Sequence, residues 1–313
     1  SRIHFSLWKK LSPYIFIVGI ILTLLVFSPL GFSHGGAQRW ISLGFISFQP
    51  AELLKFAVVV FFSAWFAHYK DALTNWKFGL LAFLGFLGIA VLPLMAQPDS
   101  GTLVLIGFVV FIMYWLRGAP WKHILLSIII GMVAIGGYVL LNPHIIDRIQ
   151  TFRDPNRDPY GSSYQIRQSR IAIGSGKLYG RGLGQSVHKF GPYLPESNSD
   201  SIFAIFAEEY GFIGATILIF LYGLFGFFGF KIARHAPTVF AQNLVIGIIL
   251  LIVIQVFFNI AAISGLVPLS GLPLIFMSNG GTVLIVTLAQ LGIVLNISKY
   301  TKNRAALKRK RIT

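Results

Sequence analysis

Stretches of nearly unbroken apolar sequence alternate with short polar joints along most of the chain, at roughly 11–30, 50–69, 78–97, 101–117, 121–142, 201–231, 241–264 and 279–299. About 20 apolar residues in helical conformation cross the ~30 Å hydrocarbon core of a bilayer, so each of these eight is read as a membrane-spanning helix. Helices satisfy their own backbone polar groups, which lipid cannot do for them. The predicted fold class is therefore all-α, a polytopic integral membrane helix bundle forming one domain over residues 1–313. At Gln97-Pro98-Asp99-Ser100-Gly101 a tight turn divides what would otherwise be one overlong helix, because Pro and Gly interrupt helical backbone. Two segments fall outside the pattern. Residues 143–200 are polar and rich in Gly, Ser, Pro and Tyr, and residues 300–313 form a basic tail.

Composition agrees with the spans and excludes other classes. Hydrophobic residues make up 55% of the 313 positions and charged residues only 12%, about half the ~25% of a soluble domain. So few charges cannot cover a soluble surface, which excludes a cytosolic enzyme. A nucleic-acid binder is excluded too, although 26 Lys+Arg against 10 Asp+Glu give a net charge of +16. With no Cys, disulfides, thiolate metal sites and Cys nucleophiles are excluded. The seven His show no paired spacing that would suit a metal ion.

Charge placement predicts orientation. Arg2, Lys9, Lys10, Lys70, Lys77, Arg117, Lys122, Lys231 and Arg234 lie on the side of the N-terminus, joined by Lys299, Lys302, Arg304, Lys308, Arg309, Lys310 and Arg311 of the tail. Arg39 alone stands in the short loops of the opposite side. By the positive-inside rule both ends are cytoplasmic and 143–200 is a large extracytoplasmic loop. Neither end reads as a cleavable signal. The tail suits cytoplasmic retention and anionic lipid.

Ten acids bound any carboxylate chemistry. The 143–200 loop holds Asp147, Asp154, Asp158, Glu196 and Asp200, together with eight basic residues. Glu52 lies three positions before Lys55 on one helix face, either as a structural ion pair or as the wall of a polar cavity. Asp99 is placed to cap the helix that follows it, and Glu208-Glu209 are expected to face the loop rather than lipid. The run Gly174-Ser175-Gly176…Gly180-Arg181-Gly182-Leu183-Gly184 follows no buried strand, so it is no Rossmann element. It either makes turns or offers backbone N–H groups and Arg181 to an anion.

Several strings together resemble the SEDS family (shape, elongation, division and sporulation), most closely its FtsW-type division members, with RodA and SpoVE as relatives. They are Arg39-Trp40-Ile41 with Phe48-Gln49-Pro50-Ala51-Glu52-Leu53-Leu54-Lys55, then Gln97-Pro98-Asp99-Ser100-Gly101-Thr102. Within the loop stand Tyr164-Gln165…Gln168-Ser169, Gly180-Arg181-Gly182-Leu183-Gly184-Gln185-Ser186 and Tyr193-Leu194-Pro195-Glu196. Asp200, Glu208-Glu209-Tyr210-Gly211, Gly265-Leu266-Val267-Pro268…Gly271 and Ser278-Asn279-Gly280-Gly281-Thr282 complete the set. Family members usually have ten spans, so the resemblance implies that this chain begins at the third. It departs from the family at Ser199-Asp200-Ser201, usually Thr-Asp-Phe, and at Asn279, usually Tyr.

The resemblance implies a peptidoglycan glycosyltransferase of the bacterial cytoplasmic membrane that polymerises lipid II into glycan strands during cell division. Its proposed general base is Asp200, which by position also suits the cap of the 201–231 helix. The lipid pyrophosphate is a good leaving group and needs cations more than a proton. Arg153, Arg157, Arg167, Arg170, Lys177, Arg181 and Lys189 are the candidates to hold it, with Arg153, Arg181 and Lys189 preferred, or else a divalent cation. No other cofactor is implied. Arg39, Trp40, Glu52 and Lys55 are further substrate-binding candidates, Trp40 serving otherwise as an interfacial anchor. Glu196 is a reserve carboxylate or a loop-structuring residue. Implied partners are lipid II, the growing strand, a class B penicillin-binding protein with one span, and other divisome membrane proteins. A lipid II flippase built on Glu52, Lys55, Asp99 and Glu209, and a RodA-like elongation polymerase, are the alternatives.

Overall fold

The computed structural model describes residues 3–34, 37–42, 44, 47–158, 161, 163–189, 194–196 and 198–310. Arg2, Tyr193 and Arg311 lie outside the described residues. Helices dominate: α1 (Phe5–Leu24), α2 (Pro50–His68), α3 (Ala82–Ala96), α4 (Ser100–Leu116), α5 (Trp121–Leu141), α6 (Pro143–Arg153), α7 (Tyr164–Ser175), α8 (Ile202–Arg234), α9 (Val239–Ile263) and α10 (Gly281–Lys310). Among the described residues seven helical segments are long and apolar enough to cross a bilayer, the third running over Trp76–Ala96, and α4, the fourth of the eight apolar runs, is a shorter apolar helix of 17 residues.

Where these bounds differ from the apolar runs, local chemistry explains the shift. α1 starts at Phe5 rather than near 11, because His4 Nδ1 accepts the Ser6 N–H and caps it, and Lys9 and Lys10 are tolerated inside its first turns. α3 is entered through a wide π turn at Trp76–Leu81, seeded by Asn75 Oδ1 accepting from the Lys77 and Phe78 N–H groups. α10 continues without a break to Lys310, so the residues read as a tail extend the last helix. A small antiparallel sheet, β1 (Gly31–His34), β2 (Ala37–Ser42) and β3 (Ser47–Phe48), joins α1 to α2 and was not foreseen.

The chain divides into two compact units, Ser1–Ile135 with Gly226–Leu251 and Ile285–Thr313, and Gly136–Phe225 with Ile252–Leu284. The first is organised around α2, where 13 of 19 residues are buried, Glu52 and Lys55 among them. An all-round apolar helix of this kind belongs inside a bundle. Asn243 donates to the Ser63 carbonyl at 3.1 Å, and Phe83 stacks on Tyr114 with ring centroids 4.3 Å apart. By contrast the most apolar window of α5 is only 17% buried, as expected of a helix that turns most of its surface to lipid.

The second unit holds most of the segment read as a loop. That segment contains two helices the apolar runs did not reveal, α6, opened by Pro143 at its first position, and α7. Pro suits a first helical turn, where its missing N–H costs nothing. The 33 residues of α8 are broken at Gly211, whose φ of 67° and ψ of −167° are not helical. Such a conformation is open to glycine and strained for other residues. Phe203, Ala204, Ile205, Ala207, Glu208 and Glu209 are buried before the break, whereas Phe212, Ile213, Ile217 and Phe220 are exposed after it.

Candidate active site

In the first unit, the spacing of Glu52 and Lys55 produces an ion pair. Lys55 Nζ lies 2.8 Å from Glu52 Oε1, with side chains only 3% and 5% exposed. Charge in so dry a place is held by its partner, since Coulomb attraction has to offset desolvation. Asp99 Oδ1 accepts the Thr102 N–H at 3.2 Å and caps α4, the structural role its position suggested. Arg39, on β2, donates to the carbonyls of Pro98 at 2.7 Å and Gln97 at 3.4 Å. Gln97 in turn donates to the Thr23 carbonyl at 2.6 Å. The Arg39 guanidinium is thus occupied in fixing the turn before α4. Trp40, half-buried, lies against Phe32 with ring centroids 6.5 Å apart.

In the second unit, Asp200 occupies the turn two residues before α8 and is half-exposed. The backbone around it is tied at consecutive carbonyls. Asn198 O accepts the Asn279 N–H at 2.8 Å, Ser199 O accepts from Ser278 Oγ at 2.6 Å, and Asp200 O accepts from Asn259 Nδ2 at 2.9 Å. Asn259 bridges further, donating to Leu272 O at 2.7 Å. Ser278 Oγ also accepts the Leu274 N–H at 2.7 Å. On the other side, Gln165 of α7 donates to Ser201 Oγ at 3.1 Å, and Ser201 donates to Pro195 O at 3.1 Å. The carboxylate takes a bond from Ser199 Oγ at 3.2 Å, and its Oδ2 lies beside Gly271, where a Cβ would stand 3.7 Å away. α7, the 199–201 turn, α9 and the 264–280 segment therefore converge on one half-buried aspartate.

Asn259 and Gln255 were missed in the sequence. Both are about 1% exposed, four positions apart on α9, and Gln255 donates to Pro273 O at 3.0 Å. A signal was present: two amides on one face of an otherwise apolar run. Glu196, exposed and at φ 51°, uses its carbonyl to accept the Ser199 and Ser201 N–H groups at 3.0 and 3.1 Å, shaping the turn.

A second cluster surrounds Glu208, which is fully buried. Its carboxylate accepts from Ser175 at 3.0 Å and Ser186 at 2.6 Å, and contacts His188 Nδ1 at 3.0 Å and Arg181 Nε at 3.3 Å. Glu208 faces the long loop, as its position suggested. Lys189 Nζ stands 3.9 Å from Glu209 Oε1. The Gly-rich run does not present its N–H groups to an anion. Arg181 N and Gly182 N donate to the carbonyls of Glu208 and Glu209, each at 3.0 Å, which the break at Gly211 leaves without helical donors. Phe212 N and Ile213 N donate back to the carbonyls of Lys177 at 2.8 Å and Leu178 at 3.2 Å. The run repairs a broken helix.

Among the basic candidates, Arg170 reaches the Gly265 carbonyl of the 264–280 segment, and Arg148, outside that set, reaches Leu269 O. Arg157 donates to Gln150. Arg153 is exposed at the end of α6, and Lys177 is exposed after α7. Among the described residues no three His or acidic side chains are grouped to hold a metal ion. A divalent cation therefore finds no cage of side chains among them.

A match to the family described as cell cycle protein, comprising FtsW, RodA and SpoVE, runs over residues 1–303. The chain is 37% identical over 302 residues to stage V sporulation protein E of Bacillus subtilis, covering 96% of this chain and 82% of that protein. It is 38% identical over 300 residues to a probable peptidoglycan glycosyltransferase FtsW of Thiomicrospira cyclica, covering 94% and 76%. Peptidoglycan glycosyltransferase MrdB of Escherichia coli is 36% identical over 304 residues, covering 96% and 81%. Among solved structures, a chain of a peptidoglycan synthase complex that coordinates polymerization and crosslinking aligns with a TM-score of 0.79 at 27% identity, over 95% of this chain and 83% of that one. The rod shape determining protein RodA of Thermus thermophilus aligns with a TM-score of 0.64 at 26% identity, over 95% and 80%. With its apolar spans, its Asp200 turn and a match along nearly its whole length, the chain belongs to the FtsW/RodA/SpoVE (SEDS) family of multi-pass membrane proteins.

Proposed function

We propose that this protein is a peptidoglycan glycosyltransferase that extends glycan strands from lipid II, with Asp200 as general base. The acceptor 4-hydroxyl gives its proton to the Asp200 carboxylate as its oxygen attacks C1 of the donor sugar. The bond from C1 to the lipid pyrophosphate breaks, and the pyrophosphate leaves as an anion without needing an acid. One carboxylate therefore suffices, whereas glycoside hydrolysis commonly uses two. The observation that carries this reading is the anchoring of Asn198, Ser199 and Asp200 at three consecutive carbonyls by Asn279, Ser278 and Asn259, while Asp200 stays only half-buried. A base held to a fixed position but open to substrate is the arrangement proton transfer requires.

In this reading the Asp200 turn and the 143–200 segment face the extracytoplasmic side and both ends of the chain are cytoplasmic. Exposed cations of the loop, Arg153, Arg181 and Lys189, attract the pyrophosphate. A transpeptidase of the class B penicillin-binding type is the partner, supported by the similarity to a chain of a peptidoglycan synthase complex. Division is the process served, supported by the Tyr164–Ser169 and Gly180–Gly184 strings.

The test is a lipid II polymerisation assay in proteoliposomes, with and without a transpeptidase partner. Asp200→Ala is expected to lower the rate by about 10²–10⁴-fold, the usual worth of a general base, with membrane insertion and thermal stability kept. Full activity in that variant would refute the assignment. Complementation of division-deficient and shape-deficient strains separates division from elongation.

A further inference from the structure

Beside the cations assigned to the pyrophosphate, the Gly-rich run carries apolar side chains that the glycosyl transfer does not use. Between α7 and the Asp200 turn, the chain from Lys177 to Lys189 exposes four apolar side chains: Leu178 (56%), Tyr179 (81%), Leu183 (75%) and Val187 (51%). In water such exposure over so short a stretch would be costly. These side chains stand where the exposed apolar face of α8 begins. Lys177 O and Leu178 O accept the N–H groups of Phe212 and Ile213, and those two residues are themselves 65% and 45% exposed. A ring of cations borders the patch. Lys177 is exposed, and Arg181 and Lys189 have 41% exposed side chains while the carboxylates opposite them, Glu208 and Glu209, are buried. Buried acids behind exposed bases leave a positive outer edge.

We infer that residues 177–189 form a monotopic membrane element, seated on the bilayer interface beside α8 with Leu178, Tyr179, Leu183 and Val187 among the lipid headgroups and upper acyl chains. The occupant of the patch is the bilayer itself, because the patch is continuous with the lipid-facing surface of a membrane-spanning helix. Basic residues at the rim with Tyr and Leu at the centre are the composition that interfacial segments use, typically entering about 5–10 Å into the headgroup/acyl boundary. The same placement assigns the membrane boundary to Gly211. The part of α8 after it, Phe212 to Arg234, spans on its own, at ~1.5 Å per residue against ~30 Å of hydrocarbon. The buried part before it stands clear of the lipid.

Because the chain has no Cys, single labels can be placed in it without other changes. Leu183→Cys and Tyr179→Cys, each spin-labelled in vesicles of phosphatidylethanolamine and phosphatidylglycerol, are compared with Asn156→Cys as an exposed loop reference and Phe220→Cys as a lipid-facing one. Relaxation by oxygen against an aqueous nickel reagent reads depth. Both loop labels are expected to lie between the two references, at the headgroup level. Labels at 179 and 183 as accessible to nickel as that at 156 would overturn the inference. So would protection that appears only on adding a transpeptidase, since it would assign the patch to a protein partner. Because depth is read without lipid II or turnover, failure here is distinguishable from failure of the glycosyltransferase reading.

Discussion

Replacing Lys55 by Met removes one half of a pair whose members are both nearly dry, at 2.8 Å and with 3% and 5% side-chain exposure. Glu52 would then be left as a buried carboxylate without its cation. Breaking a buried ion pair at one end typically costs about 3–5 kcal/mol. At about 2–4 °C per kcal/mol for a larger chain, the midpoint of thermal unfolding falls by roughly 10 °C. The double variant Glu52→Met/Lys55→Met removes both charges while keeping volume, and it is expected to recover most of the loss, since apolar replacement of buried pairs is often neutral. The assay is retention of monodisperse protein on size-exclusion chromatography after heating in detergent, for the parent, both single variants and the double. The resulting cycle isolates the pairwise coupling, expected to be about 2 kcal/mol or more. Additive single and double variants, with coupling below about 0.5 kcal/mol, would refute the argument that the two charges hold each other. The double variant also separates roles. If it is stable and still polymerises lipid II, the pair is architectural; if stable but inactive, the charges act on substrate.

Three more expectations follow from the geometry. Asn259→Leu strips a buried donor from the carbonyls of Asp200 and Leu272, costing about 1–3 kcal/mol per orphaned group; polymerisation should slow in kcat with KM for lipid II little changed. Asp99→Ala loses the cap on Thr102 N and should lower the unfolding midpoint by a few degrees, for about 1 kcal/mol, with Asp99→Asn close to the parent. Gly211→Ala puts a Cβ 2.3 Å from Gly180 N and 2.6 Å from Leu178 O at φ 67°, adding steric overlap to about 1–3 kcal/mol of backbone strain. It should open the 177–189 run to limited proteolysis while Gly223→Ala, where a Cβ meets nothing within 4 Å, does not.

Seven of the eight apolar runs were legible as helices long enough to span, because lipid admits few solutions: a run of 20 apolar residues has nowhere else to go. The i,i+3 pairing of Glu52 with Lys55 and the capping by Asp99 were legible because each is set by local helical geometry. α6 and α7 were not, because their apolar positions are few and mixed with arginines, so hydropathy alone marks them as loop. The small sheet was hidden by its shortness. At the candidate site Asp200 and Ser278 were reached through the family strings, but Asn259, 59 positions from Asp200, was not, nor was the bond from Ser278 to Ser199, 79 positions apart. The anion cradle suggested by the Gly-rich run failed for a reason no composition reveals: its N–H groups complete a helix broken 30 residues further on.

The same long separations bear on how the protein is made. Ser199 is held by Ser278, 79 positions later, and at ~5–20 residues per second that stretch takes a ribosome about 4–16 s to deliver. For about the first 3–12 s of it the newly emerged Asp200 turn has no Asn259 behind it, and until its end it lacks Ser278. A half-made chain thus carries its early helices before the Asp200 turn has its support, and with Asp200 as the proposed base it gains competence only as the helix ending at Ile263 and the segment after it arrive.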